Sequence, residues 1–227
     1  MADAWVNLGL IQAELGETTQ AINAYKKATA IDSTNVRALC NLGNSYYALS
    51  RVSEATALYR KALKLEQVIF SRWTQVMLRF EKSMYENPEQ DLNRLWWELK
   101  ARYQLMTPDP NRSEPDYAAK IHIVSAPGYY HNYMLGELFA SQIYAKLRAE
   151  RNLKPGDPFH LSGDKKVGAF FREKVFAPGM TLPWREFVEA ATGQPLSAKA
   201  FAAQFMEKYA AGGRHRCLDI RQSEDEW

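Results

Sequence analysis

The chain is poor in the features that place a protein in several common classes. Its only two cysteines, Cys40 and Cys217, lie too far apart in sequence to make a disulfide framework. No run of about 18 apolar residues exists, so no transmembrane helix is expected. The net charge is only +3 and the basic residues are scattered, which gives no sign of a nucleic-acid partner. A glycine-rich phosphate loop is also absent from the sequence.

What remains is the composition of an ordinary globular protein, with 46% hydrophobic and 24% charged residues. A chain of 227 residues has room for one large or two small domains. Residues 1–5 show neither the basic stretch nor the apolar core of a signal peptide. A reducing, cytoplasmic setting is therefore the expectation.

Residues 2–35 and 36–67 repeat one another at an offset of 34 positions, and this period predicts a helix–turn–helix unit. The recurring pairs are Asn7-Leu8-Gly9 with Asn41-Leu42-Gly43, Ala21 with Ala55, Tyr25 with Tyr59, Lys27-Ala28 with Lys61-Ala62, and Ile31 with Leu65.

Small residues within each unit predict that its two antiparallel helices approach closely. In the first unit they are Gly9, Ala21 and Ala28, which alternate with larger apolar residues at helical spacing. Gly16 stands where the first helix should end, and its counterpart in the second unit is Ser50.

The two units resemble the tetratricopeptide repeat family, although Ser33 replaces the proline usual near the end of a unit. The resemblance implies a scaffold that binds a protein or peptide on a concave face. Asn7 and Asn41 match a position at which some members bind the main chain of a ligand. Alternatively, both amides bond their own turn or water. Because fewer than about three units rarely form a stable array, these two should pack against something else.

After residue 67 the period disappears and aromatic residues become frequent. An apolar stripe over residues 70–80 predicts a helix that stops near Asn87-Pro88. Asn87, with Pro88 after it and Gln90 three positions on, predicts the start of the next helix, which continues to about Tyr103.

The remainder predicts a nearly all-α architecture. Residues 106–117 read as a loop, residues 121–124 as a short strand, and residues 212–227 as a disordered tail. Further helices are predicted over residues 129–151, 164–175, 184–191 and 197–210. The predicted domains are the repeats over residues 1–67 and a second segment over residues 68–211.

The second segment resembles the C-terminal part of angiotensin-converting-enzyme-type peptidyl-dipeptidases over roughly residues 68–206. Several separate motifs carry the likeness in the same order. They are residues 96–104, 116–123, 130–133, 183–184 and 192–197. The resemblance implies a helical shell around a cleft, removal of dipeptides from free C-termini, and relatives that often act outside the cytoplasm.

That family holds zinc on an H-E-x-x-H helix, because histidines four apart share one helix face. This chain has no H-E pair and no two histidines at that spacing. The histidines are His122, His131, His160 and His215. The sequence therefore predicts no metal ligands and no cofactor in this chain, with zinc expected only in intact relatives.

The resemblance also assigns roles to four residues of this chain. Lys120 and Tyr130 match residues that bind the C-terminal carboxylate of the substrate. His122 matches a donor to a substrate carbonyl, and Tyr133 matches the phenol that stabilises the oxyanion. Asn132 replaces an arginine that binds chloride in animal members, and this departure leaves chloride dependence open even for an intact relative. Taken without the resemblance, Lys120 reads as a solvated lysine, His122 as a half-buried histidine with its hydrogen bonds satisfied, and Tyr130 and Tyr133 as packing residues.

Two hypotheses about function follow. In the first, the chain is a non-catalytic interaction protein whose repeats dock a partner. In the second, it supplies the substrate-carboxylate side of a peptidyl-dipeptidase whose zinc helix comes from a partner. The missing H-E-x-x-H motif favours the first. Aromatic side chains without their usual neighbours also predict self-association, or binding to the missing half of the enzyme.

Overall fold

A computed structural model describes residues 1–108, 110–154, 157 and 159–206. Within these ranges the chain is helical and contains no β-strand, which confirms the predicted all-α fold class. The backbone forms two compact units, residues 1–131 and residues 132 onward. The predicted disordered tail lies outside the described residues, and the predicted boundary at residue 67 remains a prediction.

The two repeats form consecutive helix hairpins in the first unit. Their helices are α1 (Ala2–Glu14), α2 (Thr18–Ile31), α3 (Val36–Ala48) and the first part of α4 (Val52–Glu86). They share one apolar core, to which each helix contributes buried side chains. Its fully buried members include Val6, Ala21, Ala28, Ala38 and Ala55.

Glycine recurs in the repeats because a tyrosine ring lies against the backbone at that point. A Cβ atom on Gly9 would lie 2.5 Å from Cε1 of Tyr25, and one on Gly43 would lie 2.6 Å from Cε1 of Tyr59. Real Cβ atoms do not approach other atoms so closely. The predicted close approach of the paired helices is therefore confirmed in both repeats.

The first helix of each repeat ends in the same hydrogen-bonded motif. After α1, Gly16 has φ +79° and the amide of Glu17 donates to the carbonyl of Gln12. After α3, Ser50 has φ +59° and the amide of Arg51 donates to the carbonyl of Tyr46. Both ends are Schellman caps, a motif that favours glycine at the left-handed position. The second repeat forms this cap with a serine.

Helix α4 continues through the position where the repeat pattern ends. It has 35 residues and no break near residue 67. Its second part builds another core with α5 (Leu92–Gln104). The buried members of that core are Val76, Met77, Phe80, Trp96 and Ile123. One helix thus belongs to both the repeats and the peptidase-like segment.

The predicted start of α5 at Asn87 is wrong. Asn87 instead follows the last residue of α4, and Asp91 caps α5 by accepting the amide of Arg94 at 2.9 Å. The amide group of Gln90 donates at 2.7 Å each to the carbonyls of Ser83 and Asn87, so it closes the end of α4. The same side chain that suggested a start signal therefore stabilises a stop.

The strand predicted over residues 121–124 is also wrong. A 3-10 helix (Asp116–Ala119) is followed there by the short helix α6 (Ile121–Val124). The amides of Ile123 and Val124 both donate to the carbonyl of Lys120, which closes a helical turn. The periodicity of a short apolar run cannot distinguish a strand from a buried helical turn.

The second unit begins within α7 (His131–Ala149), which has 19 residues, and continues with shorter elements. These are α8 (Lys165–Phe170), a π-helical segment (Phe171–Phe176), α9 (Trp184–Thr192) and α10 (Lys199–Met206). A small core contains Ile143, Leu147 and Val167. The helix predicted over residues 164–175 is divided into α8 and the π-helical segment. The last four residues of the helix predicted over 197–210 lie outside the described residues. No described helix is long and apolar enough to cross a membrane.

Replacing Ser50 with glycine is expected to stabilise the first unit. A non-glycine residue in the left-handed conformation costs about 1–2 kcal/mol, and part of this is recovered when glycine takes its place. Urea unfolding followed by circular dichroism should show a higher midpoint for Ser50→Gly. The matched control is Ser53→Gly, an exposed helical position in α4 where glycine should lower the midpoint. A lower midpoint for both variants would contradict the prediction.

Candidate functional site

Three of the residues assigned by resemblance lie around Trp73, a half-buried residue of α4. The indole Nε1 of Trp73 donates to the phenolic oxygen of Tyr130 at 2.7 Å. The ring centroids of these two residues are 6.1 Å apart and nearly perpendicular. The imidazole of His122 also lies edge-to-face with the ring of Tyr130, at a centroid distance of 4.9 Å.

Lys120 completes this group, which we call the Trp73 cluster (Trp73, Lys120, His122 and Tyr130). Its backbone lies between the 3-10 helix and α6. The ammonium of Lys120 is 5.7 Å from the ring centroid of Trp73, within the range of a cation–π contact. The fold therefore brings a cation and a phenol to one indole ring, and an imidazole to the ring of that phenol.

A buried glutamate holds the turn that leads into Tyr130. Glu81 is only 4% exposed, and its carboxylate accepts the backbone amide of Gly128. Gly128 has φ +69°, a left-handed conformation that suits glycine. The contact thus fixes the backbone two residues before Tyr130, whose ring lies against Trp73.

Two charged residues near Lys120, Lys100 and Asp116, have shifted pKa values. Lys100, on α5, lies over Trp97 with its ammonium 4.4 Å from the ring centroid. Burial lowers the pKa of Lys100, the nearby charge of Lys120 lowers it further, and Asp116 acts in the opposite direction. The pKa of Asp116 is itself lowered, first by its hydrogen bond from Arg112.

The remaining predicted residues lie elsewhere. Tyr133 is in the first turn of α7, in the second compact unit, and 43% of its surface is exposed. Asn7 is exposed on α1, and Asn41 is half-buried at the equivalent position of α3. The two asparagines therefore recur on the first helix of successive repeats, as the repeat pattern implies.

The donor set of the described residues does not fit a zinc ion. In the ranges that the structure covers, no three His, Cys, Asp or Glu side chains come together in a way that could hold a metal. His122, the histidine of the cluster, instead contacts the aromatic ring of Tyr130. No chemical step is therefore assigned to a metal in this chain.

Three residues near the site were not singled out from the sequence. Trp73 was expected only as part of an apolar stripe, Glu81 only as a helix residue, and Lys100 only as part of a motif. The spacing of Trp96 and Lys100, four residues apart on a helix, was a signal that the two share a face. The role of Glu81 had no signal, because it depends on a contact with Gly128, far away in sequence.

Removing the charge of Lys120 should raise the pKa of Lys100. The pKa of Lys100 lies below its ordinary value of 10.5. The group therefore opposes folding while it is protonated, and stability should rise with pH between the lowered pKa and the ordinary one. Lys120→Gln removes a like charge, whereas Asp116→Asn should lower the pKa of Lys100 further. The Cε chemical shift of Lys100, followed against pH, measures both effects.

Lys120→Arg is the matched control, since it keeps the positive charge and should leave the pKa of Lys100 nearly unchanged. An unchanged titration in Lys120→Gln would show that the two ammonium groups do not interact.

Three family models match the chain. The models described as TPR repeat and Tetratricopeptide repeat match residues 9–50 and 36–67, and these matches confirm the repeats predicted from the sequence. The model described as Carboxypeptidase Taq (M32) metallopeptidase matches residues 76–209. No solved structure matches the chain.

Curated relatives match parts of the chain. The angiotensin-converting enzyme-like protein Ace3 of Mus musculus is 27% identical over 160 residues, which are 67% of this chain and 21% of the relative. Thermostable carboxypeptidase 1 of Thermus thermophilus is 36% identical over 85 residues, which are 37% of this chain and 16% of the relative. Superkiller complex protein 3 of Homo sapiens is 30% identical over 102 residues, which are 43% of this chain and 6% of the relative.

The chain thus spans about a fifth of the length of the peptidases that it resembles. The predicted likeness to angiotensin-converting enzymes is confirmed, and the matching family model extends it to carboxypeptidases. Because that model covers more than half of the chain, the protein belongs to the carboxypeptidase Taq (M32) metallopeptidase family and carries tetratricopeptide repeats before the peptidase segment.

Proposed function

We propose that this chain is a binding protein that docks a partner through its repeats and holds a peptide C-terminus at the Trp73 cluster. By itself it does not cleave the peptide. The observation that carries the proposal is the grouping of Lys120 and Tyr130 against Trp73, with His122 against the ring of Tyr130. These are the residues to which the resemblance gives substrate-holding roles.

The chemistry of the cluster suits a carboxylate. The ammonium of Lys120 supplies a positive charge, and hydrogen bonds that involve an ionised group are about twice as strong as neutral ones. Tyr130 accepts a bond from Trp73, and a phenol that accepts one bond is also able to donate one. His122 adds a third polar group beside the Tyr130 ring.

The repeats supply the second part of the proposal. Helix hairpins of this type are read as surfaces for protein or peptide binding, and Asn7 and Asn41 occupy equivalent places on α1 and α3. Such amides are suited to bond the main chain of an extended ligand, since each carries both donors and an acceptor.

A second candidate function is a two-part peptidyl-dipeptidase. Membership of a metallopeptidase family, over only about a fifth of the length of the relatives, favours it. In this case a partner would supply the zinc helix, and this chain would supply the carboxylate-binding residues together with Tyr133 as oxyanion donor.

Peptide binding should depend on a free C-terminal carboxylate and on Lys120. We expect a fluorescent peptide with a free C-terminus to bind more tightly than the same peptide with a C-terminal amide, as measured by fluorescence anisotropy. Hydrogen bonds to charged groups contribute about 1.5–3 kcal/mol, so Lys120→Gln should weaken binding of the free acid by about tenfold or more.

Lys166→Gln, an exposed lysine of the second unit, is the matched control and should bind like the unchanged protein. Equal affinity for the acid and the amide, or equal loss in both lysine variants, would refute carboxylate recognition at this cluster.

Release of dipeptides separates the two candidate functions. We expect no release from a short peptide by the folded chain, with or without added zinc, because no H-E-x-x-H motif is present. The products would be measured by mass spectrometry. Release that disappears with a chelator and in Tyr133→Phe would overturn the proposal and indicate a working peptidase.

A further inference from the structure

Glu81 is a buried ionisable side chain on α4. It is only 4% exposed, and it follows Phe80, a fully buried member of the core that α4 builds with α5. Burying a carboxylate is unfavourable unless hydrogen bonds replace those to water. In the part of the chain that the structure describes, Glu81 forms no ion pair, and the amide of Gly128 is its hydrogen-bond donor. An apolar residue could fill the same place, but only an acceptor can bind that amide.

The turn that Glu81 binds has little packing of its own. Pro127, Gly128 and Tyr129 are all exposed. Gly128 has φ +69°, and a Cβ atom placed on it would lie more than 4 Å from every heavy atom beyond its neighbours in the chain. Side-chain packing therefore contributes little to fixing this backbone, whereas a hydrogen bond to a buried carboxylate is strong and directional.

Helix α4 holds the segment from Gly128 to Tyr130 at both of its ends. Trp73 donates to the phenolic oxygen of Tyr130 at 2.7 Å, and Glu81 accepts the amide of Gly128. Because residues four apart are neighbours on a helix surface, Trp73, Met77 and Glu81 follow one side of α4. The two attachment points are about 12 Å apart along the helix axis. The segment therefore cannot shift along α4 without breaking one of these bonds.

We propose that Glu81 is a positioning residue of the Trp73 cluster. By holding the amide of Gly128, it keeps the phenol of Tyr130 against Trp73, in the place from which Tyr130 binds the carboxylate of a peptide. Glu81 acts through Tyr130 and does not itself touch the peptide. The inference rests on the proposed recognition of a C-terminal carboxylate, to which it adds a residue outside the cluster.

The first measurement uses the full chain without a peptide. Exchange of the Trp73 indole proton with water, followed by NMR, reports whether the bond to Tyr130 is intact. Glu81→Met removes the carboxylate, and Glu81→Asp keeps its charge but withdraws it by one methylene group. Both variants should exchange this proton about tenfold faster, because the charge-assisted bond to the turn is lost. Glu81→Gln keeps an acceptor oxygen at the same reach and should exchange like the unchanged chain.

The matched control is Glu86→Met, which alters an exposed glutamate of the same helix. It should leave the exchange of the Trp73 indole proton unchanged. Circular dichroism should show every variant folded, and Glu81→Asp decides the question if Glu81→Met does not fold, since it retains a carboxylate.

The second measurement is the affinity for the fluorescent peptide with a free C-terminus. Glu81→Met and Glu81→Asp should bind it about tenfold less tightly, whereas Glu81→Gln should bind it like the unchanged chain. Tyr130→Phe should also weaken binding. Adding Glu81→Met to Tyr130→Phe should cause little further loss, because the effects of two residues are not additive when one acts through the other.

Three results would overturn the proposal. They are unchanged indole exchange in Glu81→Met and Glu81→Asp, the same loss in Glu81→Gln as in Glu81→Met, and independent losses in the double variant with Tyr130→Phe. Equal binding of the acid and the amide by the unchanged chain would refute carboxylate recognition, and with it the part of Glu81 in binding a peptide. Faster indole exchange in Glu81→Met would in that case still establish that Glu81 positions Tyr130.

Discussion

The continuity of α4 is the constraint on which the first unit depends. At 35 residues and a rise of 1.5 Å per residue, the helix is about 50 Å long. Its first part closes the second repeat through Ala55 and Ala62, and its second part builds the aromatic core through Val76 and Phe80. Two repeats are too few to be stable alone. Because they share a helix with the aromatic core, the two repeats have a neighbouring element against which they can be stabilised.

The same helix also organises the candidate site. Trp73 lies one to two turns before the buried residues of the aromatic core, and its indole group joins that core to Tyr130 and Lys120. Glu81, further along α4, binds the turn before Tyr130. A segment that spans only about a fifth of the related peptidases therefore keeps together Lys120, His122 and Tyr130, the residues to which the resemblance gives substrate-holding roles. Local packing against one helix is sufficient for this, because none of these contacts needs the rest of an enzyme.

The repeats show how similar sequences reach different environments. Leu8 and Leu42 occupy the same position of the motif, yet one is 40% exposed and the other 5%. The difference arises from neighbours, since α3 packs against α1, α2 and α4, whereas α1 packs against α2 and, less extensively, α3. Gly16 and Ser50 give the converse case, because different residues adopt the same left-handed cap. The neighbours of a residue, rather than its type, determine how exposed it is. The hydrogen bonds of the cap determine the left-handed backbone conformation.

The sequence by itself determined the helical class, the two repeats and the family of the peptidase segment, since each rests on patterns that local spacing or ordered motifs preserve. It also indicated that Gly9 and Gly43 admit a close neighbour. Only the tertiary structure decided that residues 121–124 form a helical turn, because a short apolar run has no distinguishing period. The grouping of Lys120 and Tyr130 around Trp73 likewise depended on contacts between residues that are distant along the chain. Spacing along a chain specifies which side chains share one helix face, whereas contacts between elements require the packed core that holds them together.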